Sequence, residues 1–362
     1  MYVKMTSEFF PQQPKIIFGG SIMKKHFIIN PAAGRGKYMY SVIEKVREES
    51  DNPLRFSVHV TGSRGDAELY CREVSSQPGE HLFVVCGGDG TICEALNGIE
   101  GKENCALAVM PAGTGNDFIR NFYSTSDEKA LFSSVDAQLE GEELLCDYME
   151  ILIDGERRKL AVNMINSGLD SEVGVRVNEL RGKKIIPQTL AYYYGLVEQF
   201  IKKPCVNARV TVDGEELFDG EKILIAIGNG AYCGGGFKAA TRASVCDGLL
   251  DVCIVENVTR LQFIDLVGSY KKGTHLEHKR AKDLITYLKC KEILVEYANP
   301  QKVVFDGEME ICNSICVRIS EKPVRIFLPK GIPPYLPIIA DEAAAEKDAE
   351  KDAEKENESV SV

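Results

Sequence analysis

Short apolar runs alternate with amphipathic segments along the first part of the chain. The predicted strands are His26–Asn30, Arg55–Val60, Leu82–Cys86 and Ala106–Met110, and the predicted helices are Lys37–Glu49, Asp66–Val74, Ile92–Ile99, a segment from about Asn116 and Glu128–Leu139. Strands that alternate with helices favour a parallel sheet with crossover helices. This part of the chain is therefore predicted to be an α/β domain.

The pattern changes after Leu145, where strand-like runs are separated by Asp-Gly pairs. Such pairs favour the tight reversal of a β-hairpin, and they occur at Asp154-Gly155, Asp213-Gly214 and Asp219-Gly220. Helices are predicted at Thr189–Lys202 and Leu261–Lys272, and late strands at Val303–Phe305, Ile315–Ile319 and Val324–Leu328. This half is predicted to be strand-rich and antiparallel.

These patterns divide the chain near Asp147. A length of 362 residues allows two cores, and we predict an α/β domain at 24–146 and a β domain at 147–320, with 321–340 as a candidate completion of the first domain. Residues 1–23 form a predicted flexible leader, or result from an over-long start, since Met23 directly precedes the first strand. The acidic tail at 341–362 lacks aromatic residues and is expected to be disordered, with a lone helix as the alternative.

The formal net charge of −11 is unevenly distributed. Residues 341–362 hold nine acidic and three basic side chains, so the tail carries −6 and the other 340 residues carry −5. That balance excludes neither phosphates nor lipid head groups as partners. No run approaches the ~20 apolar residues of a membrane-spanning helix, and the start lacks a secretory signal pattern, so a cytoplasmic protein is expected.

The twelve cysteines lie singly, many of them in apolar runs, which predicts buried free thiols. Cys312 and Cys316 are the closest pair, but no second pair or histidine cluster completes a zinc site. We therefore expect no metal role for the cysteines.

The segment Leu82–Thr91, LFVVCGGDGT, has the build of a phosphate-binding loop. Gly87 and Gly88 let main-chain amides approach an anion, and the helix that follows adds unpaired N–H groups. Asp89 does not favour a polyphosphate by itself, so its carboxylate is expected to act through Mg²⁺ or a water. The alternative interpretation is a glycine-rich turn without a ligand.

A second loop of this kind, PAGTGND at Pro111–Asp117, also follows an apolar strand. Ligands of parallel sheets bind beyond the carboxyl ends of the strands, where such loops converge. Thr114 and Asn116 can donate hydrogen bonds there, while Asp117 either caps a helix or joins a network of metal and water.

The first two strands also end in small or polar residues, at Asn30–Gly36 and at Thr61-Gly62. Arg35 and Lys37 could pair with phosphates or could simply be solvated. The spacings of the Walker loop and of the dinucleotide fingerprint are absent from these strand ends, and Gly228–Gly230 lacks a following helix. The predicted phosphate-binding loops therefore match neither the Walker loop nor the dinucleotide-binding loop.

The order and spacing of five motifs resemble the diacylglycerol kinase catalytic family, the soluble bacterial lipid kinases related to sphingosine kinases. The motifs are NPAAG from Asn30, GGDGT from Gly87 with Glu94, PAGTGNDF from Pro111, DGLLD from Asp247 and FDGE from Phe305. The resemblance spans about Lys24 to Lys330, although GGDGT alone also fits NAD kinases and phosphofructokinases. It implies a nucleotide-binding α/β domain followed by an antiparallel β-sandwich, with the active site in the cleft between them.

The resemblance also implies site residues, taken position by position. ATP contacts map onto Asn30, Pro31, Ala32, Ala33, Gly34, Thr61, Gly87, Gly88, Asp89, Gly90, Thr91, Ile92, Cys93, Glu94, Thr114 and Asn116. The acidic positions that organise the catalytic metal and waters map onto Asp89, Asp117 and Asp147, and the general base maps onto Glu308. A structural Mg²⁺ maps onto Asp247 with Ser244 and Leu249. Cys93 departs from the asparagine that is common in the family, which puts one polar contact in doubt.

The residues alone leave some of these roles open. Asp306-Gly307-Glu308 fits a hairpin turn better than a catalytic carboxylate, and only the resemblance reverses that preference. The DGLLD segment fits a turn before a strand equally well. Around His275 and His278, the many lysines and arginines predict either an ordinary solvated face or a basic surface for anionic lipid.

The sequence thus predicts a lipid kinase that uses ATP and Mg²⁺ to phosphorylate the hydroxyl of diacylglycerol or a similar lipid, giving phosphatidate. Its expected partner is a lipid at the inner face of the membrane, with peripheral contact and no nucleic acid, and a homodimer is left open. The alternatives are a phosphotransferase like NAD kinase and a non-catalytic nucleotide-sensing protein.

Overall fold

The computed structural model describes residues 16–17, 23–36, 40, 42–44, 56–181, 194–195, 198–199, 201–202 and 204–333. Most of the predicted leader, most of the predicted helices at Lys37–Glu49 and Thr189–Lys202, and the whole acidic tail lie outside these residues.

The first half of the chain builds a mainly parallel sheet. Its strands are β1 (Ile16–Ile17), β2 (Lys24–Ile29), β3 (Phe56–Val60), β4 (His81–Gly87), β5 (Cys105–Pro111), β6 (Gly141–Cys146) and, from the end of the chain, β18 (Val324–Pro329). They lie in the order β1-β6-β18-β5-β4-β2-β3, and β5, β4, β2 and β3 run parallel. Every residue of β4 is buried, as expected for a parallel strand with both faces covered.

The helices of this half with fully described bounds are α1 (Asp66–Ser75), α2 (Asp89–Ile99), α3 (Ser126–Leu131) and α4 (Val135–Leu139), with short 3-10 helices at Ala33–Gly36 and Phe118–Phe122. The prediction of one helix over Glu128–Leu139 is wrong, because the first helix ends at Leu131 and Ser134 caps the start of a second one by accepting a hydrogen bond from the Ala137 amide. The helix expected from about Asn116 is only the 3-10 turn at Phe118–Phe122.

The second half builds an antiparallel sheet. Its strands are β7 (Met149–Ile153), β8 (Arg157–Ala161), β9 (Met164–Gly168), β10 (Val206–Val212), β11 (Glu215–Gly228), β14 (Leu250–Glu256), β15 (Ile285–Cys290), β16 (Glu292–Phe305) and β17 (Glu308–Ile319), and β12 (Tyr232–Cys233) with β13 (Phe237–Lys238) forms a separate ribbon. The order is β15-β14-β11-β10-β16-β17-β7-β8, and β9 pairs with β11 and β16. The predicted fold class, a parallel α/β domain followed by an antiparallel β-rich domain, is confirmed.

Asp-Gly pairs reverse the chain at two of the three predicted places. Asp154 and Asp213 have φ angles of 52° and 48°, and the following glycines also have positive φ, which is the geometry of a two-residue hairpin turn. The prediction at Asp219-Gly220 is wrong. That pair lies inside β11, where Asp219 is opposite Arg209, because the reversal has already occurred at Asp213.

The helices of this half whose bounds fall within the described residues are α5 (Leu169–Arg181), α6 (Arg260–Lys272) and α7 (Ala281–Leu284), and they cover parts of this sheet. Helix α6 begins with a reciprocal cap between Thr259 and Gln262 and ends at Gly273, whose φ of 76° suits glycine. Leu266 of α6 packs into the core below it.

The last strand, β18, returns to the first sheet between β5 and β6. Arg325 of β18 pairs there with the buried Glu143 of β6 at 2.7 Å and with Glu80 at 2.6 Å. The two halves of the chain are thus connected by two crossings, one after β6 and one before β18.

Candidate active site

Four loops meet at the carboxyl ends of the parallel strands. Asn30, at the end of β2, donates from its amide to the Thr91 hydroxyl at 3.1 Å, and the Thr61 amide after β3 donates to the Ile29 carbonyl at 2.9 Å. Helix α2 begins at Asp89, so its unpaired amides face the same edge. The residues predicted to contact ATP are therefore brought to one edge of the sheet.

Glycine is required where the two glycine-rich loops touch. A Cβ atom on Gly113 would lie 2.5 Å from the Cα atom of Gly88, and a Cβ atom on Gly87 would lie 2.6 Å from the Thr91 side chain. The Ala112 amide also donates to the Gly87 carbonyl at 2.8 Å. This close approach leaves the main chain as the surface that a ligand meets.

Asp89 holds the two loops together. Its carboxylate accepts hydrogen bonds from the amides of Asp117 at 3.2 Å and Phe118 at 3.1 Å. Burial raises the pKa of Asp89 above its ordinary value, although these amides oppose the shift. Both oxygens of Asp89 are thus engaged at the start of the 3-10 helix.

Asp117 keeps one oxygen available. Its Oδ2 accepts a hydrogen bond from the Gly235 amide at 2.8 Å, while Oδ1 is buried without a hydrogen bond and lies 3.2 Å from Nε of Arg120. Burial and then the charge of Asp89 raise the pKa of Asp117 to about 6. A buried oxygen with unused capacity beside a second carboxylate fits a hydrated Mg²⁺.

Asp306 fixes the hairpin that carries Glu308. Its φ is 46°, and its carboxylate accepts hydrogen bonds from the amides of Val162 at 2.6 Å and Met164 at 2.7 Å and from that of Asn163. The Cys93 thiol of α2 donates to the same carboxylate at 3.1 Å. Burial raises the pKa of Asp306 to about 6. The hairpin is therefore both a turn and part of the site.

Glu308 lies at the mouth of the strand-end loops. Its Oε2 atom is 2.8 Å from Arg64, on the loop after β3, and 3.0 Å from Lys159 of β8. Its side chain is 29% exposed, so a substrate can reach it. The base implied by the resemblance thus faces the predicted nucleotide loops.

Asp147 lies where the first crossing leaves the sheet. Its carboxylate accepts a hydrogen bond from the Gly248 amide at 2.7 Å, and burial raises its pKa to about 6. The Asn229 amide donates to the carbonyls of both Asp147 and Val162, which connects this residue to the loop that holds Asp306.

The predicted structural Mg²⁺ does not fit the DGLLD loop. Oδ1 of Asp247 accepts a hydrogen bond from the Leu249 amide at 3.1 Å, and Oδ2 accepts one from the Lys289 ammonium at 2.8 Å. Ser244 is buried, and its hydroxyl has no hydrogen-bond partner among the described residues. Within the described part of the chain, no three His, Cys, Asp or Glu side chains are grouped closely enough to hold a metal.

An apolar cavity in the second domain was not predicted. It encloses about 520 Å³ of empty space including its open mouth, and its lining includes Leu169, Asp170, Phe263, Leu266, Tyr270 and His275. His275 is fully buried here and so is not part of a surface. Burial raises the pKa of Asp170 to about 6, and the Tyr270 hydroxyl donates to this carboxyl at 2.8 Å.

Sequence reasoning also missed Arg64, Lys159 and the role of Asp306. The sequence held one signal for Lys159. Arg157 and Lys159 are two residues apart on β8, as Glu308 and Glu310 are on β17, so each pair lies on one face of its strand, and Lys159 contacts both glutamates. Arg64 carried no signal at all, because its partner lies in the other half of the chain.

No helix among the described residues combines the length and the apolar character needed to span a bilayer.

Comparison with known proteins matches both halves of the chain to family models. Residues 24–150 match the diacylglycerol kinase catalytic domain, and residues 163–328 match the YegS C-terminal NAD kinase beta sandwich-like domain. A solved diacylglycerol kinase from Bacillus anthracis has the same fold, with a TM-score of 0.62 at 21% identity over 87% of this chain and 100% of that chain.

Curated relatives carry the same name. A diacylglycerol kinase from Bacillus subtilis is 26% identical over 79% of this chain and 89% of its own length, and one from Staphylococcus carnosus is 25% identical over 79% and 88%. One from Mycobacterium tuberculosis is 27% identical over 69% and 79%. The chain therefore carries a diacylglycerol kinase catalytic domain at residues 24–150, and the names of its relatives indicate a lipid kinase, a phosphotransferase of the diacylglycerol kinase type.

Proposed function

We propose that the chain transfers the γ-phosphate of ATP to the hydroxyl of diacylglycerol or a closely similar lipid, with Mg²⁺, and releases phosphatidate. The observation that carries this proposal is the position of Glu308. It comes from the second domain, yet it contacts Arg64 on a loop of the first, beside the strand ends with the build of a phosphate-binding site.

The nucleotide phosphates would lie against the main chain of the two touching glycine loops and the start of α2. Asp89 and Gly113 keep that surface in shape without contributing positive charge. Arg120, 3.2 Å from Asp117, and Arg64 supply the nearby positive side chains. Phosphoryl transfer leaves the protein mainly this work of positioning and charge stabilisation.

Asp117 would hold the metal through Oδ1, which accepts no hydrogen bond and whose one ion-pair partner is Arg120 at 3.2 Å, directly or through a water. The bound Mg²⁺ would supply neutralisation of the phosphate charge. Asp147 would act indirectly. Its hydrogen bonds with Gly248 and Asn229 orient the loops at the junction of the two domains.

Glu308 would accept the proton of the lipid hydroxyl. Among the described residues, Arg64 and Lys159 both contact Oε2, and Oε1 accepts no hydrogen bond, so Oε1 is the atom available to the acceptor. A positioned carboxylate of this kind contributes about 10²- to 10⁴-fold to the rate.

The apolar cavity would receive part of an acyl chain. The ribbon of β12 and β13 links this cavity to the site, since Gly235 in its turn donates to Asp117 and Phe237 lines the cavity. The apolar lining suits hydrocarbon.

Helix α6 gives the cavity a contact with the membrane surface. One side of α6 lines the cavity, while Leu261 and Ile264 on the other side are 79% and 59% exposed. The exposed Lys271 and Lys272 at its end suit anionic head groups. We expect Leu261→Gln with Ile264→Gln to weaken cosedimentation with anionic vesicles, and unchanged binding would contradict this orientation.

The proposal is tested by following ³²P from labelled ATP into diacylglycerol vesicles and, in parallel, into NAD. Glu308→Gln should lower lipid transfer by at least about 10²-fold while ATP binding is retained. Glu310→Gln is the matched control. Glu310 lies on the same strand as Glu308 and also pairs with Lys159, at 2.8 Å, but it is two residues farther from the turn. Full transfer by Glu308→Gln would refute the base, and phosphorylation of NAD alone, or ATP binding without transfer, would refute the lipid acceptor.

A further inference from the structure

A lysine ammonium contacts Asp247, the one side-chain carboxylate that the resemblance assigns to the structural metal ion. Nζ of Lys289 donates to Oδ2 of Asp247 at 2.8 Å, to Oδ2 of Asp251 at 2.9 Å and to the carbonyl of Arg242 at 2.9 Å. Asp251 is fully buried, whereas the Lys289 side chain is 28% exposed. Two carboxylates and one main-chain carbonyl form the kind of oxygen set that also binds a hard cation.

The sheet itself places this ammonium. In the pairing of β14 with β15, Lys289 is opposite Asp251 and Tyr287 is opposite Cys253, so Lys289 and Tyr287 lie on one face of the sheet. The Tyr287 hydroxyl donates to Oδ1 of Asp251 at 2.7 Å and accepts from the Arg242 amide at 3.0 Å. The loop is thus held at Arg242 and at Asp247 by one strand.

The lysine offsets one of the two negative charges of this cluster. Its ammonium lies within 2.9 Å of both carboxylates, and Asp251 is fully buried. A Mg²⁺ bound to Oδ2 of Asp247 would lie within about 5 Å of Nζ, given a metal–oxygen distance of about 2.1 Å. Two cations that close, with only two carboxylates to share, repel each other.

We propose that Lys289 is the resident cation of the DGLLD loop and that this loop takes no divalent ion. The ammonium offsets one of the two charges of Asp247 and Asp251 and ties the loop to β15. The loop in turn presents the Gly248 amide to Asp147 at 2.7 Å, while the Asp147 amide donates to the Val245 carbonyl at 2.6 Å. Lys289 is therefore a positioning residue for the domain junction.

The test is thermal unfolding of the full chain without nucleotide, in EDTA and in millimolar MgCl₂. For each chain, the shift of the unfolding midpoint caused by MgCl₂ is measured with and without the Asp247→Asn substitution. The difference between these two shifts is the Asp247-dependent shift, and it reports Mg²⁺ binding at the DGLLD loop alone. For the wild-type chain this shift should be zero. A measurable Asp247-dependent shift would overturn the proposal.

Lys289→Met removes the cation and leaves Asp247 and Asp251 facing each other. Its unfolding midpoint in EDTA should be lower than that of the wild-type chain by about 5 °C or more. MgCl₂ should restore part of this loss, and the restoration should disappear when Asp247→Asn is added. Lys291→Met, at an exposed lysine two residues farther on, is the matched control and should show neither effect. A Lys289→Met chain as stable as the wild type would also overturn the proposal.

Lys289→Arg covers the case in which Lys289→Met fails to fold. Since arginine keeps one positive charge in the same place, this variant should fold and should show no Asp247-dependent response to MgCl₂. An Asp247-dependent rise of the unfolding midpoint in MgCl₂ would show that a divalent ion binds the loop even with a positive side chain at position 289, and would overturn the proposal.

Discussion

Replacing Asp306 by asparagine is expected to destabilise the chain, whereas the same change at Asp213 is not. Both residues stand before a glycine in hairpin turns with positive φ. Asp213 is exposed and uses only Oδ1, which accepts from the amides of Lys291 and Glu292. Asparagine can keep that oxygen in place, so Asp213→Asn should change the free energy of unfolding by less than about 0.5 kcal/mol.

Asp306 uses both oxygens, so asparagine cannot replace it. Oδ2 accepts from Val162 at 2.6 Å and Oδ1 from Met164 at 2.7 Å, and in Asp306→Asn an NH₂ group must face one of these N–H donors. The lost charge-assisted bond and the unpaired donor together cost about 3 to 5 kcal/mol. Removal of a buried charge, whose pKa burial already raises from 3.8 to about 6, offsets about 3 kcal/mol of this, and we expect a net loss of up to about 2 kcal/mol.

Urea unfolding followed by circular dichroism measures both changes at neutral pH. Transfer to diacylglycerol should also fall in Asp306→Asn and not in Asp213→Asn, because only the first turn carries Glu308. If the two variants were equally stable, the amides of Val162, Asn163 and Met164 would not be what holds the hairpin.

Two further predictions follow from buried groups. Gly113→Ala should lower ATP affinity at least about 10-fold by calorimetry, because its Cβ atom would lie 2.5 Å from Gly88, while the control Gly268→Ala, with no atom within 4 Å, should bind normally. Asp170 holds its proton to about pH 6 in the folded chain and to about 3.8 when unfolded, so the native state loses stability as the pH rises between these values. Asp170→Asn should remove that loss and be the more stable chain above pH 6, by at most about 3 kcal/mol; parallel pH profiles from urea unfolding would contradict this.

The parallel domain could be predicted from sequence because its signals are local. A buried strand that ends in glycines before a helix shows its own ligand-facing end, and Gly87 and Gly113 lie where that pattern puts them. The predicted helix at Glu128–Leu139 failed for an equally local reason, the cap at Ser134, which its apolar spacing does not reveal.

The Asp-Gly pairs show that a dipeptide alone does not predict the local structure. Asp213-Gly214 turns the chain, Asp219-Gly220 lies within a strand, and Asp306-Gly307 turns the chain and also binds three amides and a thiol. The dipeptide is the same in each case. The difference lies in what the strand pairing places beside it, and that depends on residues distant in sequence.

The same reasoning separates the two metal predictions. Oδ1 of Asp117 accepts no hydrogen bond and has only the ion pair with Arg120 at 3.2 Å, whereas both oxygens of Asp247 accept hydrogen bonds, one of them from Lys289 on the strand that pairs beside β14. A motif such as DGLLD specifies the acceptors of a cation site but not the cation. Whether the cation is a bound ion or a side chain is decided by the neighbouring strand, and for this loop the neighbouring strand supplies an ammonium.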